Sequence, residues 1–324
     1  MNKRIRVVLL LGAIIMAAGF IVCIAGAIVA NVNGDRLFAR DMEGGKGYTY
    51  NFDGESIAKI DIEATDVTVN IIGASSESKI ELINFNENMY AFNCEKRYIT
   101  FKESPDIKSM LNFFENGVTF KGMRYILRLG ANDGNKMINI YLTDSDTVNN
   151  FAISIGKGKI YVSDIKTDSG YKITVEDGAV SLNNISTSSD ISVSSPKSSD
   201  LDLIFNNVKA NNLTVTAATA DLQSTELSFT SGKLDITHGT AQLNFIPTGE
   251  YFKMSVNANG KKTVNDITYN QNFTVDKLPE ASEPVTGDET EEITIPEITV
   301  EGRELYVYLS GDCFNEFVEE TNEE

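Results

Sequence analysis

In 324 residues the chain holds one histidine, no tryptophan, three cysteines and six prolines. Each scarcity removes a class of chemistry. His238 would have to carry all the proton traffic of a Ser-His-Asp arrangement, and no G-x-S-x-G nucleophile elbow accompanies it. The cysteines show no zinc-type spacing. Cys23 lies in an apolar run, so Cys94 and Cys313 remain; two unpaired thiols are the expectation and a Cys94–Cys313 disulfide the alternative. Basic residues are also few. There are 28 Lys and Arg against 46 Asp and Glu, a net charge of −18, which excludes nucleic acid as a partner because phosphate contacts need clustered cations. The charge is uneven: residues 279–324 hold 15 acidic residues and only Arg303 as a base, a net of −14, leaving −4 for the rest. That segment reads as a solvated acidic tail.

Among what is present, the N-terminus comes first. Val7 to Ala30 is 24 residues without a charge, preceded by Lys3, Arg4 and Arg6. At about 1.5 Å per residue it would cross the hydrocarbon core as a helix. An uncleaved transmembrane anchor is expected, with cleavage at "AGA" (Ala25 to Ala27) as the alternative. The basic flank places the N-terminus in the cytoplasm and the remainder outside, so the expected location is the cell membrane, single-pass. Gly12, Gly19 and Gly26 recur every seven residues on one helix face, a spacing that would let two copies pack as a homodimer.

The second feature is a repeat. Ile173, Val175, Val180, Leu182 and Ile185 fall at offsets 0, 2, 7, 9 and 12, and the same template fits sets starting at Ile60, Ile153 and Leu234. The sets starting at Leu213 and Ile298 match four offsets, and the set starting at Ile191 matches if "PKS" is a three-residue insertion. Starts at 153, 173, 191, 213 and 234 define a unit of about 20 residues. In each strand, alternate side chains point inward. Gly158, Gly178 and Gly239 share offset 5 and read as corners needing positive φ. A shared period favours an all-β, short β-solenoid over a β-sandwich of hairpins. The chain divides as a cytoplasmic 1–6, a transmembrane helix 7–30, a linker 31–50, a solenoid domain 51–276 with an aromatic-rich insertion 84–135, an acidic linker 277–292, a strand pair 293–311 and a tail 312–324.

Three stretches carry a family resemblance: "NMYAFNCEKRYITFKES", "INIYLTDSDTVNNFAISIGKGKIYVSDI" and the following coils with glycine at their corners. They resemble the bacterial putative-adhesin domain family over most of residues 51–276. The resemblance implies an extracytoplasmic β-solenoid-like domain behind a membrane segment, with no catalytic residues to carry over. The acidic tail and the "LPEASEP" loop depart from that pattern.

Metal chemistry finds little support. "EDG" (Glu176 to Gly178) and "TDSDT" (Thr143 to Thr147) offer oxygens, but neither extends into an EF-hand loop or a calcium-binding nonapeptide repeat. His238 shares offset 4 with Lys157 and Asp177, which suggests a ladder along one edge. The expected function is therefore a membrane-anchored, non-catalytic adhesin-like or envelope-interaction module. It would need no cofactor, and its partners would be the bilayer and an envelope polymer or protein. An envelope-stress sensor and a glycan-active solenoid enzyme are the alternatives.

Overall fold

A computed structural model describes residues 48–51, 57–85, 90–95, 97–103, 136–165, 168–248, 251–277, 297–315 and 317–318. The chain divides into two units, 1–47 and 48–324, and all the described residues belong to the second. They form 15 strands and one 3-10 turn, Asp312–Phe314. The first six strands are β1 (Tyr48–Asn51), β2 (Lys59–Ile72), β3 (Lys79–Ile83), β4 (Tyr90–Glu95), β5 (Tyr98–Glu103) and β6 (Met137–Tyr141). Three long strands follow, β7 (Asn150–Ser163), β8 (Gly170–Ser186) and β9 (Asp190–Phe245). Then come β10 (Phe252–Ala258), β11 (Lys262–Val264), β12 (Ile267–Tyr269), β13 (Phe273–Lys277), β14 (Glu297–Gly302) and β15 (Glu304–Ser310).

Two expectations are corrected. The anchor helix at 7–30 and its Gly12, Gly19 and Gly26 face lie outside the described residues. Among the described residues no helix is long and apolar enough to cross a membrane, so the single-pass membrane location is withdrawn with the helix. The strands also belong to one 15-stranded sheet of mixed direction, and the pairing does not describe a closed solenoid. What stands is that the described residues are nearly all β.

The centre of the sheet is parallel: β2 pairs β7, β7 pairs β8 and β8 pairs β9. Along these strands apolar residues alternate with polar ones, and the apolar set is buried. Ile60, Ile62, Val67, Val69, Ile153, Ile155, Ile160, Val162, Ile173, Val175, Val180 and Leu182 are each at most 2% exposed. Burying such a side chain contributes about 1.5–3 kcal/mol, and no single layer could do it alone. Phe151 and Tyr171 stack across the β7–β8 pair with centroids 4.8 Å apart.

The register corrects the repeat. Ile153 faces Ile173, as the template requires. But Ile60 faces Phe151, not Ile153, and Ile173 faces Val193, not Ile191. Gly239 abuts the carbonyl of Ala220 and Gly232 that of Leu213, so the last two layers are staggered by 19 residues where the template gave 21. Every discrepancy is two residues. A strand shifted by one would expose its apolar set, but a shift of two keeps the same face inward. The insertion is real: Thr174 faces Ser194, a difference of 20, whereas Gly178 faces Leu201, a difference of 23.

Both ends are finished by strands out of chain order. At one end β2 pairs β5 and β6 on one edge and β7 on the other; β4 and β3 then add antiparallel, and β1 closes on β3. At the other end β14 and β15 pair β9 in parallel, and the earlier β10 and β11 lie outside them. Antiparallel β13 and β12 complete that cap. Such caps keep a parallel ladder from offering its edge to other chains.

Candidate functional site

The corner glycines take the conformation that their spacing suggested. Gly158, Gly178 and Gly239 have φ of 132°, 140° and 125°. A Cβ on Gly178 would lie 1.8 Å from the Gly158 carbonyl oxygen, so backbone passes where a side chain would stand. These corners divide each long layer into a first arm before the glycine and a second arm after it. Buried residues of both arms belong to one core.

The residues with reactive potential are occupied structurally. Lys157 meets Asp177 at 3.6 Å, but His238 does not continue that ladder; its Nδ1 lies 3.2 Å from Glu304 Oε2 on the half-exposed surface. In "TDSDT", Asp146 Oδ2 accepts from the Ser78 hydroxyl and the Thr143 backbone N–H, which fixes the loop, while its buried Oδ1 has no partner among the described residues. Among the described residues no three His, Cys, Asp or Glu side chains gather as metal ligands. Cys94 and Cys313 are free thiols. Burial raises both, Cys313 to about 11, so neither is an activated thiolate at neutral pH.

Asparagines form ladders between layers. Asp164, Asn184 and Asn207 all have φ between 50° and 59° at a second corner. Asn184 Nδ2 donates to Asp164 Oδ1 at 2.9 Å and Asn207 Nδ2 to Asn184 Oδ1 at 3.2 Å. Beside them, Asn206 Nδ2 donates to Asn183 Oδ1 at 2.8 Å and Thr225 Oγ1 to Asn206 Oδ1 at 3.0 Å. Polar corner residues thus bond the neighbouring layer rather than their own turn.

Another ladder is formed by Glu103. Its Oε1 accepts from Lys136 Nζ at 2.7 Å, and its Oε2 accepts from the Thr65 N–H and hydroxyl, each at 2.7 Å. Burial pushes this carboxyl up, but Lys136 and the two Thr65 donors outweigh it and hold the group below the usual carboxylate range. It is a clasp between the ends of β5 and β6.

The most distinctive surface is the outer face of the second arm. Successive partners there are Asn139, Asn70, Tyr161, Ser181 and Ile204. Thr225 bonds Asn206 across 19 residues, which carries the column from Ile204 to Gln223, and the 19-residue stagger of Ala220 and Gly239 carries it to Gln242. Tyr308 and Thr263 follow. Nine successive positions carry no charge, and they span roughly 40 Å at the usual strand spacing. Tyr161 is 39% and Ile204 41% exposed, while Ser181 between them is recessed at 8%. The Tyr161 hydroxyl and the Gln223 and Gln242 amides make no bond to the described residues, unlike the asparagines beside them.

Lys159, Asp202 and Asp221 are exposed beside this column, but the ion pairs of the long layers lie on the first arm. Ion pairs gather there: Lys59 with Asp61 at 3.0 Å, Lys102 with Glu63 at 3.5 Å, and Lys233 with Asp235 at 3.4 Å and Glu301 at 2.8 Å. Alternation marked Tyr161, Ser181, Gln223 and Gln242 as outward, whereas Asn139 and Thr263, at the two ends of the column, are buried. The alignment of the column was hidden because it depends on registers that the apolar pattern leaves open by two residues.

No family model and no curated protein matches the chain. Among solved structures it is similar to a putative cell adhesion protein from Clostridium sporogenes, at 14% identity and a TM-score of 0.33, over 82% of this chain and 99% of that one. It is also similar to a putative adhesin from Bacteroides fragilis, at 11% identity and a TM-score of 0.37, over 82% of this chain and 97% of that one. The family resemblance read in the sequence thus reduces to a likeness to structures with adhesin names.

Proposed function

We propose that this chain is a binding module of adhesin type, not an enzyme, and that it binds through the outer face of the second arm. The observation that carries this reading is the nine-position uncharged column in a chain of net charge −18. Its exposed members combine a tyrosine ring, an isoleucine and two unengaged amides on a backbone held by parallel pairing on both sides. A rigid array of this kind loses little conformational entropy on binding. Exposed apolar and aromatic groups in contiguous register are a mark of interaction surfaces. The adhesin names of the two structural neighbours agree with this reading, which rests on the surface and not on them.

The test is retention of the full chain on immobilised cell-wall polymers and matrix proteins, with Ile204→Asp as the reporter. Ile204 is exposed, so the fold should be unaffected within about 0.5 kcal/mol. Loss of retention in the variant is expected. Retention that is unchanged, or absent from every surface for the parent chain, would overturn the proposal.

A further inference from the structure

We infer that the ligand of this face is an extended, uncharged glycan lying across the strands along the Tyr161–Gln242 column. The inference rests on the binding-module reading above and adds the ligand class.

Three features point to it. The column offers the groups that recognise sugars: a tyrosine ring to lie against a pyranose face, and amides that both donate and accept toward hydroxyls. The Tyr161 hydroxyl and the Gln223 and Gln242 amides are exposed or half-exposed and make no bond to the described residues. The spacing is periodic along the axis a polymer would follow. Tyr161 and Ile204 stand two layers apart, about 9–10 Å, with Ser181 recessed between them. That distance is close to one disaccharide step of an extended β-1,4-linked chain. Gln223 and Gln242 continue the row beyond Ile204 at one-layer intervals.

Charge decides among the polymers. An anionic polymer would meet a strongly acidic chain, with Asp202 and Asp221 exposed beside Ile204 and Gln223 and Lys159 as the one cation of that flanking row, so it is disfavoured. A cationic partner would be drawn to the acidic residues of 279–324 instead. A neutral chain of hydroxyls is what an uncharged row of amides, hydroxyls and an aromatic ring complements.

The experiment is titration calorimetry of the full chain with cellohexaose and chitohexaose, polygalacturonate being the anionic control. Parallel binding runs use denatured collagen as an uncleaved peptide polymer. The inference expects a neutral hexasaccharide to bind more tightly than its dimer, with an affinity that does not change with salt. Tyr161→Ala should weaken it about tenfold, the loss of a stacked ring, and Tyr161→Phe should retain it. Gln223→Ala and Gln242→Ala should each weaken it severalfold. All three side chains are at the surface, and unchanged melting of each variant confirms that folding is not the cause. If collagen or polygalacturonate binds in a Tyr161-dependent manner and the neutral glycans do not, the glycan inference falls and the binding-module reading survives. If no probe binds in a Tyr161-dependent or Ile204-dependent manner, both fall.

Discussion

The first and second arms of each layer share one core, one corner glycine and one backbone ladder, yet their outer surfaces differ in kind. The first arm carries charges that neutralise one another, such as Lys233 between Asp235 and Glu301. Exposed pairs of this sort contribute little to stability, but they keep a surface hydrated and unattractive to neighbours. The second arm carries Tyr161, Ile204, Gln223 and Gln242 with no such pairs along its central column. Equal demands from the core would not produce this asymmetry, because outward residues do not touch it. The difference teaches that the scaffold is symmetric in its packing and polarised in its surface.

The comparison can be broken most severely at the corner. Gly178→Ala would put a Cβ against the Gly158 carbonyl at a φ of 140°, and should cost about 4 kcal/mol in chemical denaturation. A loss below about 1 kcal/mol would show that the two arms do not need a tight turn between them. Next in size is the clasp. Glu103→Gln should cost about 2 kcal/mol by weakening a charge-assisted set of three hydrogen bonds. In the parent chain the folded carboxyl titrates below its usual value of 4.5. Its contribution is therefore full above that value and is lost as pH falls through the lower, folded one. Acid unfolding of the variant should lack that component, and superimposable acid curves would remove the clasp from the account.

Smaller changes sharpen the contrast. Exchanging surface chemistry, with Gln223→Lys on the second arm, should leave melting within a few degrees, weaken a neutral hexasaccharide severalfold without making its binding salt-dependent, and admit polygalacturonate in a salt-dependent manner. Neutral-glycan binding that stayed at the parent affinity would place the ligand elsewhere. The smallest effect is expected on the first arm. Lys233→Ala should alter stability by less than about 0.5 kcal/mol and leave binding untouched. A large loss in either would mean that the charged face is more than a hydrated cover.

Much of the architecture was legible because it depends on parity. The alternation of Ile173, Val175, Val180 and Leu182 determines which side chains enter the core, and the pairing agrees. Gly158 and Gly178 could be recognised as corners because only glycine tolerates that backbone beside another strand. Register was not legible: Ile173 opposite Ile191 and Ile173 opposite Val193 bury the same face equally well. The same ambiguity hid the candidate surface, whose meaning lies in which outward residues stack. Closure into a solenoid was over-read from the period, which a mixed sheet with parallel layers also satisfies. The partner of the single histidine, Glu304, is 66 residues away and had no local signal.

The out-of-order strands have a consequence for biosynthesis. The cap strands β10 and β11 join the stack by pairing with β14 and β15, which lie between them and β9. The ribosome delivers the cap first and the layer beneath it afterwards. Until residues 297–310 have emerged, β10 has its hairpin partner β13 and β11 has β12, but neither has a surface to rest on, and the open edge of β9 waits unpaired. The last layer must slide in under a roof already made. A chain that ends anywhere between 278 and 296 therefore leaves two unmatched strand edges at once, and completion of the fold is tied to residues 297–310.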